Sequence, residues 1–401
     1  MVAKLKTKDS IYDEMTNALY MVFEEDIYVS KALMNIFKNH KEWNDKEKGY
    51  ISDIIYDIVR YWRLLWYLLK KSPSLKKNDL LQLIDVFIFY KEKRTSHRHL
   101  NYNDLKNSLY LVKDARAIRE SIPDWLDSIG INELGKHWDP IIKALNKKPS
   151  IVIRTNTLKC TTEKLVTLLE HEGIYSEKKE NAKDALVLKE EGNIFRLESF
   201  QRGFFEQQSY SSQMVSIFLD AKPGMRIIDV CAGEGSKTLH LAALMENKGK
   251  IIAMDTAEWK LKELKRRAVK AGAENIEIRS IDSSKAYKRL KGSADRLLLD
   301  VPCSGLGTLR RNPDIKWKLT LLDLKRLKEL QKELLERYSN LLKKGGQMVY
   351  SVCSILPSEG EKQIKDFLEI HKNDFRLIKE KRYWPDTDDT DGFYMALIEH
   401  I

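Results

Sequence analysis

The sequence predicts an α/β protein in which a mostly parallel sheet is covered by helices on both faces. Three observations support this prediction. From Gly203 onward, short apolar runs alternate with amphipathic segments; before them lies a small strand, helix and strand pattern; and the first third of the chain has apolar residues at helical spacing. Apolar strands that alternate with amphipathic helices are typical of parallel sheets buried on both faces.

The composition is that of a globular protein with a basic surface. Of the 401 residues, 43% are hydrophobic and 32% are charged, so the chain is long enough for two or three domains with cores of their own. The 70 Lys and Arg residues against 59 Asp and Glu give a formal charge of +11. This charge favours a polyanionic partner such as a nucleic acid, but a basic proteome or solubility alone explains it equally well.

The chain has no segment typical of a secretion signal or a membrane anchor. No apolar stretch follows the basic start MVAKLKTKDS, and the apolar window 51–69 carries charged side chains, at Asp53, Asp57, Arg60 and Arg63. We therefore expect a cytoplasmic protein without a membrane partner. The 4 cysteines lie far apart without a CxxC pair, so we expect reduced thiols and no metal site.

Residues 1–145 are predicted to form a helical domain. In ISDIIYDIVRYWRLLWYLL the apolar residues follow the i, i+3, i+4, i+7 pattern of one buried stripe. Trp62 and Trp66 fall on this stripe, which favours a role in the core over a ligand cage. Arg60 and Arg63 lie at its edge, where they could be solvated or could contact phosphate.

Residues 146–200 are predicted to form a small α/β module. The basic stretch LNKKPS is typical of a linker, IVIRTNT and DALVLKE of strands, and TTEKLVTLLEHEG of a helix with a threonine cap and a glycine stop. A module of about 50 residues is near the lower limit for independent folding, so we expect it to pack on a neighbouring domain.

Residues 201–401 are predicted to form the larger α/β domain. Its predicted strands are MRIIDV, KIIAMD, NIEIRSID, DRLLLDV and GQMVYSV, separated by helical segments such as EWKLKELKRRAVKAG. Ligands of such sheets bind outside the carboxyl ends of the strands. One acid there is more often a helix cap, but a series of acids indicates a ligand site. The acids at successive strand ends are Asp229, Asp255, Asp282 and Asp300.

The loop after the first of these strands, CAGEGSKT, suits a nucleoside. Gly233 and Gly235 allow the backbone to approach a ligand at the start of the next helix. The loop lacks the spacing of a phosphate-binding loop and of a complete dinucleotide fingerprint, which argues against a nicotinamide-dependent dehydrogenase. Asp255 is well placed to accept from ribose hydroxyls, and Asp282 from an amino group on the base.

Two cysteines close predicted strands of this domain. Cys303 follows Asp300 in LLLDVPCSGLGTLRRNPDIKW, and Cys353 ends the apolar run in GGQMVYSVCSILPSEGE. A single thiol at a strand end is more often a small buried hydrophobe. Two thiols at adjacent-looking strand ends beside a nucleoside site instead indicate covalent catalysis, because thiolates attack electron-poor carbons.

The ordered motifs DVCAGEGSKT, AMDTAEWK, DVPCSGLGTLRRNPDIKW and YSVCSILPSEGE resemble those of RNA cytosine-C5 methyltransferases of the Sun/Fmu (RsmB/NOP) type. The resemblance covers residues 150–401 and includes GFFEQQSYSSQ and DGFYMALI. It implies a Rossmann-like domain that transfers a methyl group from S-adenosylmethionine to carbon five of a cytosine in RNA. Among such enzymes it points first to the bacterial ones that act on 16S ribosomal RNA.

The resemblance also implies a role for each site residue. Cys353 would be the nucleophile that adds to carbon six, and Cys303 would help to remove the carbon-five proton and release the enzyme. Asp300 would hydrogen bond nitrogen three of the ring while facing the cofactor. The cofactor-binding residues expected from the motifs and strand ends are Cys231, Ala232, Gly233, Glu234, Gly235, Ser236, Lys237, Asp255, Asp282 and Asp300.

The sequence departs from the family pattern at three positions, two of them in the cofactor loop. Glu234 stands where proline is usual, Ser236 replaces a glycine, and Val352 replaces the threonine that commonly precedes the nucleophile. A carboxylate at position 234 would repel the carboxylate of the cofactor but could meet its ammonium group. An RNA-binding ribosome assembly factor with weakened or lost cofactor binding is therefore an alternative, although both cysteines favour catalysis.

Two further classes of methyltransferase fit these motifs less well. An amino-group methyltransferase favours Asp or Asn followed by Pro, Pro and an aromatic residue, whereas Asp300 is followed by Val, Pro and Cys. A DNA cytosine methyltransferase also uses a cysteine after proline, so Cys303 alone does not exclude it. Cys353 with its flanking sequence argues for the RNA enzymes.

The upstream segments resemble RNA-binding parts of the same enzymes. IRTNTLKCTTEKLVTLLEHEGI, with Arg154 and Asn156, is similar to the small RRM-like subdomain, and KEKGYISDIIYDIVRYWRLL to the NusB-like domain. The resemblance implies RNA as the partner, ribosomal RNA before transfer RNA, and we expect a monomer. The target cytosine must be unstacked for carbon six to be reached. We expect the small module and RRNPDIKW, through Arg310 and Arg311, to hold the flanking strand.

Overall fold

The structure is a computed structural model, and it describes residues 8–92, 102–179, 181–189, 192–281 and 285–401. The chain divides into two compact units. One consists of Met1–Lys147 with Leu309–Leu319, and the other of Lys148–Thr308 with Thr320–Ile401. The segment Leu309–Leu319 thus belongs to the unit of the N-terminal helices, although it lies far from them in sequence.

The first unit is helical, as its apolar spacing predicts. Its N-terminal helices within the described residues are α1 (Lys8–Phe23), α2 (Val29–Asn39), α3 (Asp45–Arg60), α4 (Trp62–Leu69), α5 (Lys77–Glu92), α6 (Tyr102–Leu111), α7 (Arg116–Arg119), α8 (Asp124–Leu134) and α9 (Trp138–Leu145). The stripe predicted in one segment is carried by α3 and α4, which are separated at Tyr61. Trp66 is 1% exposed and Trp62 stacks on Phe23, so their assignment to the core is confirmed.

Both arginines at the edge of the stripe are used inside this unit. Arg60 is buried and donates to the carbonyl oxygens of Leu309 and Arg310, at 3.1 and 2.9 Å. Arg63 donates to the carbonyl oxygen of Ile122 at 2.7 Å and pairs with Asp124 at 2.8 Å. The side chain of Arg60 is therefore neither solvated nor available to phosphate.

The expectation that Arg310 holds RNA is wrong. Arg310 is 4% exposed, and its Nε donates to the carbonyl oxygen of Ala144 at 2.8 Å. Lys316, from the same segment, is 1% exposed and donates to the carbonyl oxygen of Arg60 at 2.8 Å. Burying a charged group is costly unless it is paired or hydrogen bonded, and backbone carbonyls of the helical unit supply these bonds.

The second unit begins with a four-stranded antiparallel sheet in the order β2-β3-β1-β4. Its strands and helices are β1 (Val152–Thr155), α10 (Thr162–His171), β2 (Ser176–Lys179), β3 (Ala182–Leu188), α11 (Glu198–Gln201) and β4 (Phe205–Gln207). Thr161 caps α10, since its side chain accepts from the backbone N–H of Lys164, as the sequence predicts.

The small sheet is joined to the rest of its unit by a buried amide. Asn156 donates from Nδ2 to the carbonyl oxygens of Gly203 and Ala271, each at 2.8 Å, so the module does pack on a neighbouring part of the chain. Arg154 is 1% exposed and lies opposite Glu206 in the strand register. The side chains of Arg154 and Asn156 are both buried, so neither is presented to a ligand at the surface and both act in packing.

The larger sheet has seven strands in the order β10-β11-β9-β8-β5-β6-β7. Its strands are β5 (Arg226–Asp229), β6 (Lys250–Asp255), β7 (Ile276–Ser280), β8 (Ala294–Asp300), β9 (Leu342–Val352), β10 (Phe375–Tyr383) and β11 (Phe393–His400). The strands from β5 to β9 pair in parallel, whereas β11 is antiparallel to β9 and to β10. This confirms a Rossmann-like, mostly parallel α/β sheet.

The helices that follow in the chain are α12 (Tyr210–Phe218), α13 (Ser236–Leu244), α14 (Glu258–Ala271), α15 (Lys285–Lys288), α16 (Ile315–Lys318), α17 (Leu321–Tyr338) and α18 (Glu361–Ile370). Of these, α16 lies in the segment that belongs to the first unit. The strand order reverses at β5, because β6 lies on one side of it and β8 on the other. Such a switch point opens a crevice at the carboxyl edge of the sheet.

Within the residues that the structure describes, no helix combines the length and the apolar character needed to cross a membrane.

Candidate active site

The carboxyl edge of the larger sheet brings together the residues that the sequence selects. Asp229 ends β5, Asp255 ends β6 and Asp300 ends β8, while Cys353 directly follows the last residue of β9. Because these four strands are parallel, their carboxyl ends meet at one edge of the sheet. Asp282 lies outside the described residues, so its predicted contact with a base stays a prediction.

Asp255 organises the cofactor loop from the neighbouring strand. Its two carboxylate oxygens accept from the backbone N–H groups of Gly233 and Ala257, each at 2.8 Å. Gly235 has φ +87°, and a Cβ there would overlap Cδ1 of Leu264 on α14. Only glycine fits such a position without strain, since the backbone is left-handed and tightly packed. The N–H of Ala232 donates to the carbonyl oxygen of Met254 at 2.9 Å, which connects the start of the loop to β6.

Arg267 holds the same loop from α14. Its guanidinium donates to the carbonyl oxygen of Glu234 at 2.8 Å and to the carboxylate of Glu206 at 2.7 Å, and it lies 3.5 Å from the hydroxyl of Ser236. The side chain of Glu234 is exposed. The loop therefore uses the backbone of Glu234 and the hydroxyl of Ser236, the two residues that depart from the family pattern. The sequence offered no signal for Arg267, which lies in an ordinary amphipathic helix.

A cleft of about 450 Å³ opens beside this loop. The residues that line it are Val230, Cys231, Asp255, Thr256, Ala257, Lys260, Ile281, Tyr287, Pro302, Leu330, Leu334, Arg337 and Tyr338. Asp255 supplies a carboxylate among mostly apolar walls, which is how sites for small organic ligands are commonly built. The sequence did not predict the residues of α17 that line the cleft, because the pattern of an amphipathic helix does not show which of its residues border a cleft.

Asp229 is buried beneath the loop. It is 1% exposed and accepts from the hydroxyl of Thr238 on α13 at 2.8 Å. Burial and the nearby charge of Asp300 raise the pKa of Asp229 to about 7. Asp229 therefore stabilises the loop from beneath and is not exposed to a ligand.

Lys237 links the loop to the strand that precedes Cys303. Its Nζ donates to Oδ2 of Asp300 at 2.6 Å and lies 5.2 Å from the centre of the Phe393 ring. Asp300 also accepts from the hydroxyl of Ser351 on β9, at 2.9 Å. Asp300 is therefore oriented by a cation on one oxygen and a hydroxyl on the other.

The two cysteines meet at the edge of the sheet. Sγ of Cys303 and Sγ of Cys353 lie 3.3 Å apart, within hydrogen-bond distance for sulfur. The hydrogen bond with Cys303 lowers the pKa of Cys353, helped by the charge of Lys237, while burial and Asp300 act against it. The same bond, together with burial, raises the pKa of Cys303. Of the two sulfurs, Cys353 is therefore the one that favours the thiolate form.

Backbone contacts fix the turns around these thiols. The N–H of Gly307 donates to the carbonyl oxygen of Cys353 at 3.0 Å, and the N–H of Gly392 donates to the carbonyl oxygen of Gly307 at 2.9 Å. A Cβ on Gly307 would overlap the carbonyl of Gly392. The glycines of SGLGT and DGF therefore let three backbone segments converge.

No group of His, Cys, Asp and Glu side chains in the described ranges could hold a metal ion.

The chain matches two family models. The model for the 16S rRNA methyltransferase RsmB/F matches residues 216–399, and the model for the RsmF/B-like ferredoxin-like domain matches residues 122–195. The first match contains all the strands of the larger sheet apart from the last residue of β11, and the second contains β1, β2 and β3 of the small sheet.

Relatives with curated descriptions agree with these models. A probable ribosomal RNA small subunit methyltransferase B of Bacillus subtilis is 28% identical over 94% of this chain and 92% of its own length. The ribosomal RNA small subunit methyltransferase B of Pasteurella multocida is 32% identical over 73% of this chain and 68% of its own length. The solved structure described as "Crystal Structure of PH0851" has a TM-score of 0.80 and 28% identity, and the match covers 99% of this chain and 100% of that one.

The methyltransferase sheet, the loop at its switch point and the two cysteines thus occur in a chain that is similar to these relatives along most of its length. The chain belongs to the RsmB/F family of 16S rRNA methyltransferases.

Proposed function

We propose that this protein transfers a methyl group from S-adenosylmethionine to carbon five of a cytosine in 16S ribosomal RNA, through a covalent bond to Cys353. The observation that carries the proposal is the pair of thiols 3.3 Å apart at the same sheet edge as the cleft and its loop. Carbon five of a free cytosine is too weak a nucleophile to attack an electrophilic methyl group, and it becomes nucleophilic enough once a thiolate has added to carbon six. The site supplies that nucleophile.

The cleft and the loop fit the methyl donor. Asp255 already accepts two backbone N–H groups, yet each carboxylate oxygen has a further lone pair that a ribose hydroxyl can use. The apolar walls formed by Ile281, Leu334 and Tyr338 suit the face of a purine. S-adenosylmethionine supplies an electrophilic methyl group when it is bound. The residues that would hold it are those of the loop from Cys231 to Lys237, with Asp255.

The two thiols divide the covalent chemistry. The Cys353 thiolate adds to carbon six, and the electron pair that this frees makes carbon five the nucleophile toward the methyl group. Cys303 first gives its own proton to water, and its thiolate then takes the proton from carbon five. The electron pair of that C–H bond restores the ring double bond, and the pair of the bond between carbon six and sulfur returns to Cys353 as the thiolate. Because its pKa is raised, Cys303 is the stronger base of the two as a thiolate.

Asp300 is the residue proposed to hold the ring. It is ion-paired with Lys237 and accepts from Ser351, so it presents a fixed carboxylate beside the thiols. Nitrogen three gains electron density when a thiolate adds to carbon six, and it becomes an N–H donor once it is protonated. A carboxylate that accepts from this N–H stabilises the adduct relative to the free cytosine.

A basic hollow in the second unit is proposed to bind the flanking RNA strand in place of Arg310. The hollow has a volume of about 500 Å³ and lies between the small sheet and β10, with Lys178 and Lys179 on one side and Lys381 on the other. Tyr383, which lines the hollow, is the register partner of Phe393, whose ring lies beside Lys237. The hollow thus adjoins the strand pair that contacts Lys237.

The alternative, an RNA-binding assembly factor without methyl transfer, predicts that the cofactor site is lost. The hydrogen bonds of Asp255 and Arg267 to the loop support a formed site instead. The deciding experiment incubates the Cys303→Ala protein with S-adenosylmethionine and small-subunit RNA, and then looks for a protein and RNA adduct by mass spectrometry.

We expect the adduct to form, because the variant can add and methylate but releases slowly. It should disappear when Cys353 is also replaced by Ala. The matched control is Cys160→Ala, which changes a buried cysteine of the small module and should trap no RNA. If the Cys303→Ala protein traps nothing and the wild type does not bind S-adenosylmethionine, the assembly factor is the better explanation.

A further inference from the structure

A buried carboxylate joins the two turns that carry the cysteines. Glu359 is 0% exposed and lies just before α18. Its Oε1 accepts from the backbone N–H of Ser304 at 2.8 Å, and its Oε2 accepts from the hydroxyls of Ser304 and Ser354, each at 2.5 Å. Ser304 directly follows Cys303 and Ser354 directly follows Cys353. One side chain therefore binds the neighbour of each thiol.

Glu359 is itself held from two further elements. Gln331 on α17 donates from Nε2 to Oε1 of Glu359 at 2.9 Å and to the carbonyl oxygen of Pro302 at 3.0 Å. Tyr350 on β9 donates its hydroxyl to the backbone carbonyl of Glu359 at 2.6 Å. A carboxylate that accepts four hydrogen bonds in fixed positions is a rigid connection.

The charge of this residue does not help the chemistry of its neighbours. The negative charge of Glu359 acts to raise the pKa of both thiols, which opposes formation of the thiolate. A neutral residue would avoid this effect if only packing were needed. The contribution that remains is geometric, since Cys303 and Cys353 lie on turns after different strands, 50 residues apart in sequence.

We propose that Glu359 is a positioning residue that sets the separation of the two thiols. In the enzyme this role rests on the proposed function, because one sulfur has to add to the ring while the other lies close enough to assist release. Small displacements of reacting groups cost a large part of the rate, so a rigid connection between the turns favours turnover.

The separation of the thiols can be measured without RNA or methyl donor. Oxidised glutathione converts the two thiols into one disulfide, and the two electrons and two protons that leave them produce two molecules of reduced glutathione. The equilibrium constant of this exchange reports the effective concentration of one thiol at the other. Peptide mapping by mass spectrometry identifies the bond between Cys303 and Cys353 in the full chain and quantifies it across glutathione ratios.

We expect Glu359→Ala to lower this effective concentration about tenfold or more, because hydrogen bonds to a charged group are lost from both turns. Glu369→Ala, which changes an exposed glutamate of α18, is the matched control and should keep the wild-type value. Thermal unfolding shows whether each variant is folded. A folded Glu359→Ala protein with the wild-type value would overturn the proposal.

A milder variant keeps the test decisive if Glu359→Ala does not fold. Ser354→Ala removes one donor of the carboxylate and leaves Glu359 in place, so the effective concentration should fall by about threefold. A wild-type value in this variant, with Glu359→Ala unfolded, would mean that the carboxylate serves stability alone, and the positioning role would be rejected.

A kinetic measurement separates this role from the proposed function. If the wild type methylates RNA, Glu359→Ala should lower kcat and leave the KM values for RNA and methyl donor nearly unchanged, since the side chain of Glu359 is fully buried. If the wild type does not methylate RNA, the thiol exchange still measures the effect of Glu359. Failure of the proposed function and failure of the positioning role thus give different results.

Discussion

Lys237 donates from Nζ to Oδ2 of Asp300 at 2.6 Å, and this ion pair joins the loop after β5 to the end of β8. Asp300 in turn accepts from Ser351, two residues before Cys353. Lys237, Asp300 and Ser351 therefore connect the loop proposed to bind the methyl donor with the turn of the proposed nucleophile. A change of charge at Lys237 must act on the cysteine pair.

Lys237→Met should move the reactivity of Cys353 to higher pH. The thiolate is the reactive form, so the alkylation rate rises with pH through the pKa of Cys353. In the wild type that pKa is lowered, first by the hydrogen bond with Cys303 and further by Lys237. Without the lysine charge the pKa rises and the profile shifts upward. Peptide mass spectrometry after reaction with iodoacetamide, from about pH 6 to about pH 10, measures the shift.

Lys248→Met is the control for this experiment. Lys248 is an exposed residue paired with Glu246, so its loss should leave the profile of Cys353 unchanged. Identical profiles for Lys237→Met and the wild type would show that the lysine does not act on the thiol.

Asp229→Asn should gain stability relative to the wild type as the pH rises from about 4 to about 7. In the folded protein burial and Asp300 raise the pKa of Asp229 to about 7. The folded state therefore keeps this proton over a range in which the unfolded chain, with an ordinary carboxyl pKa near about 4, has released it. Protonated Asp229 contributes fully to the free energy of unfolding of the wild type below the pKa of the unfolded chain. That contribution, about 2–4 kcal/mol, is lost as the pH rises through the pKa of the folded state.

Urea unfolding of both proteins at about pH 5 and about pH 8 tests this difference. Asp220→Asn, which changes an exposed aspartate paired with Lys222, should show no such trend. A stability difference between Asp229→Asn and the wild type that is the same at both pH values would contradict the raised pKa.

Arg267→Met should weaken the binding of S-adenosylmethionine by about tenfold, whereas Glu234→Gln should change it by less than about threefold. Arg267 holds the loop through the carbonyl of Glu234 and the carboxylate of Glu206, while the side chain of Glu234 is exposed. Isothermal titration calorimetry measures both dissociation constants. Arg266→Met, which removes an exposed partner of Glu263, is the control. A large gain of affinity in Glu234→Gln would instead show that its carboxylate repels the cofactor.

Lys179→Ala combined with Lys381→Ala should weaken RNA binding and reduce its salt dependence. Each lysine that neutralises a phosphate contributes about one unit to the slope of log affinity against log salt, so the slope should fall by about 2. Fluorescence anisotropy with a small-subunit RNA fragment across a salt series gives the slope.

Arg310→Ala provides the contrast for the lysine variant. Arg310 is buried in the helical unit, so its loss should lower stability by about 1–3 kcal/mol and leave the salt slope of the second unit's contacts unchanged. Equal slopes for the lysine variant and the wild type would remove the basic hollow from the RNA interface.

The sheet and the residues at its edge could be predicted from the sequence alone. Strand and helix periodicity is local, and a parallel sheet brings every strand end to one edge, so Asp229, Asp255, Asp300 and Cys353 could be grouped without coordinates. The motif series also predicted the family. Likewise, the helical spacing of Trp62 and Trp66 was enough to assign them to the core.

The distant side chains that act on these residues could not be predicted, because they are brought to the site by the folding of the whole chain. Arg267 reaches the loop from α14, and Glu359 reaches both cysteine turns from the start of α18, through contacts between positions far apart in sequence. From the sequence Arg310 is expected to be an exposed basic residue, yet it is buried because its segment belongs to the helical unit. Periodicity reports which face of an element is apolar, but the partner of a buried charge is set by the packing of separate elements, and no local pattern encodes it.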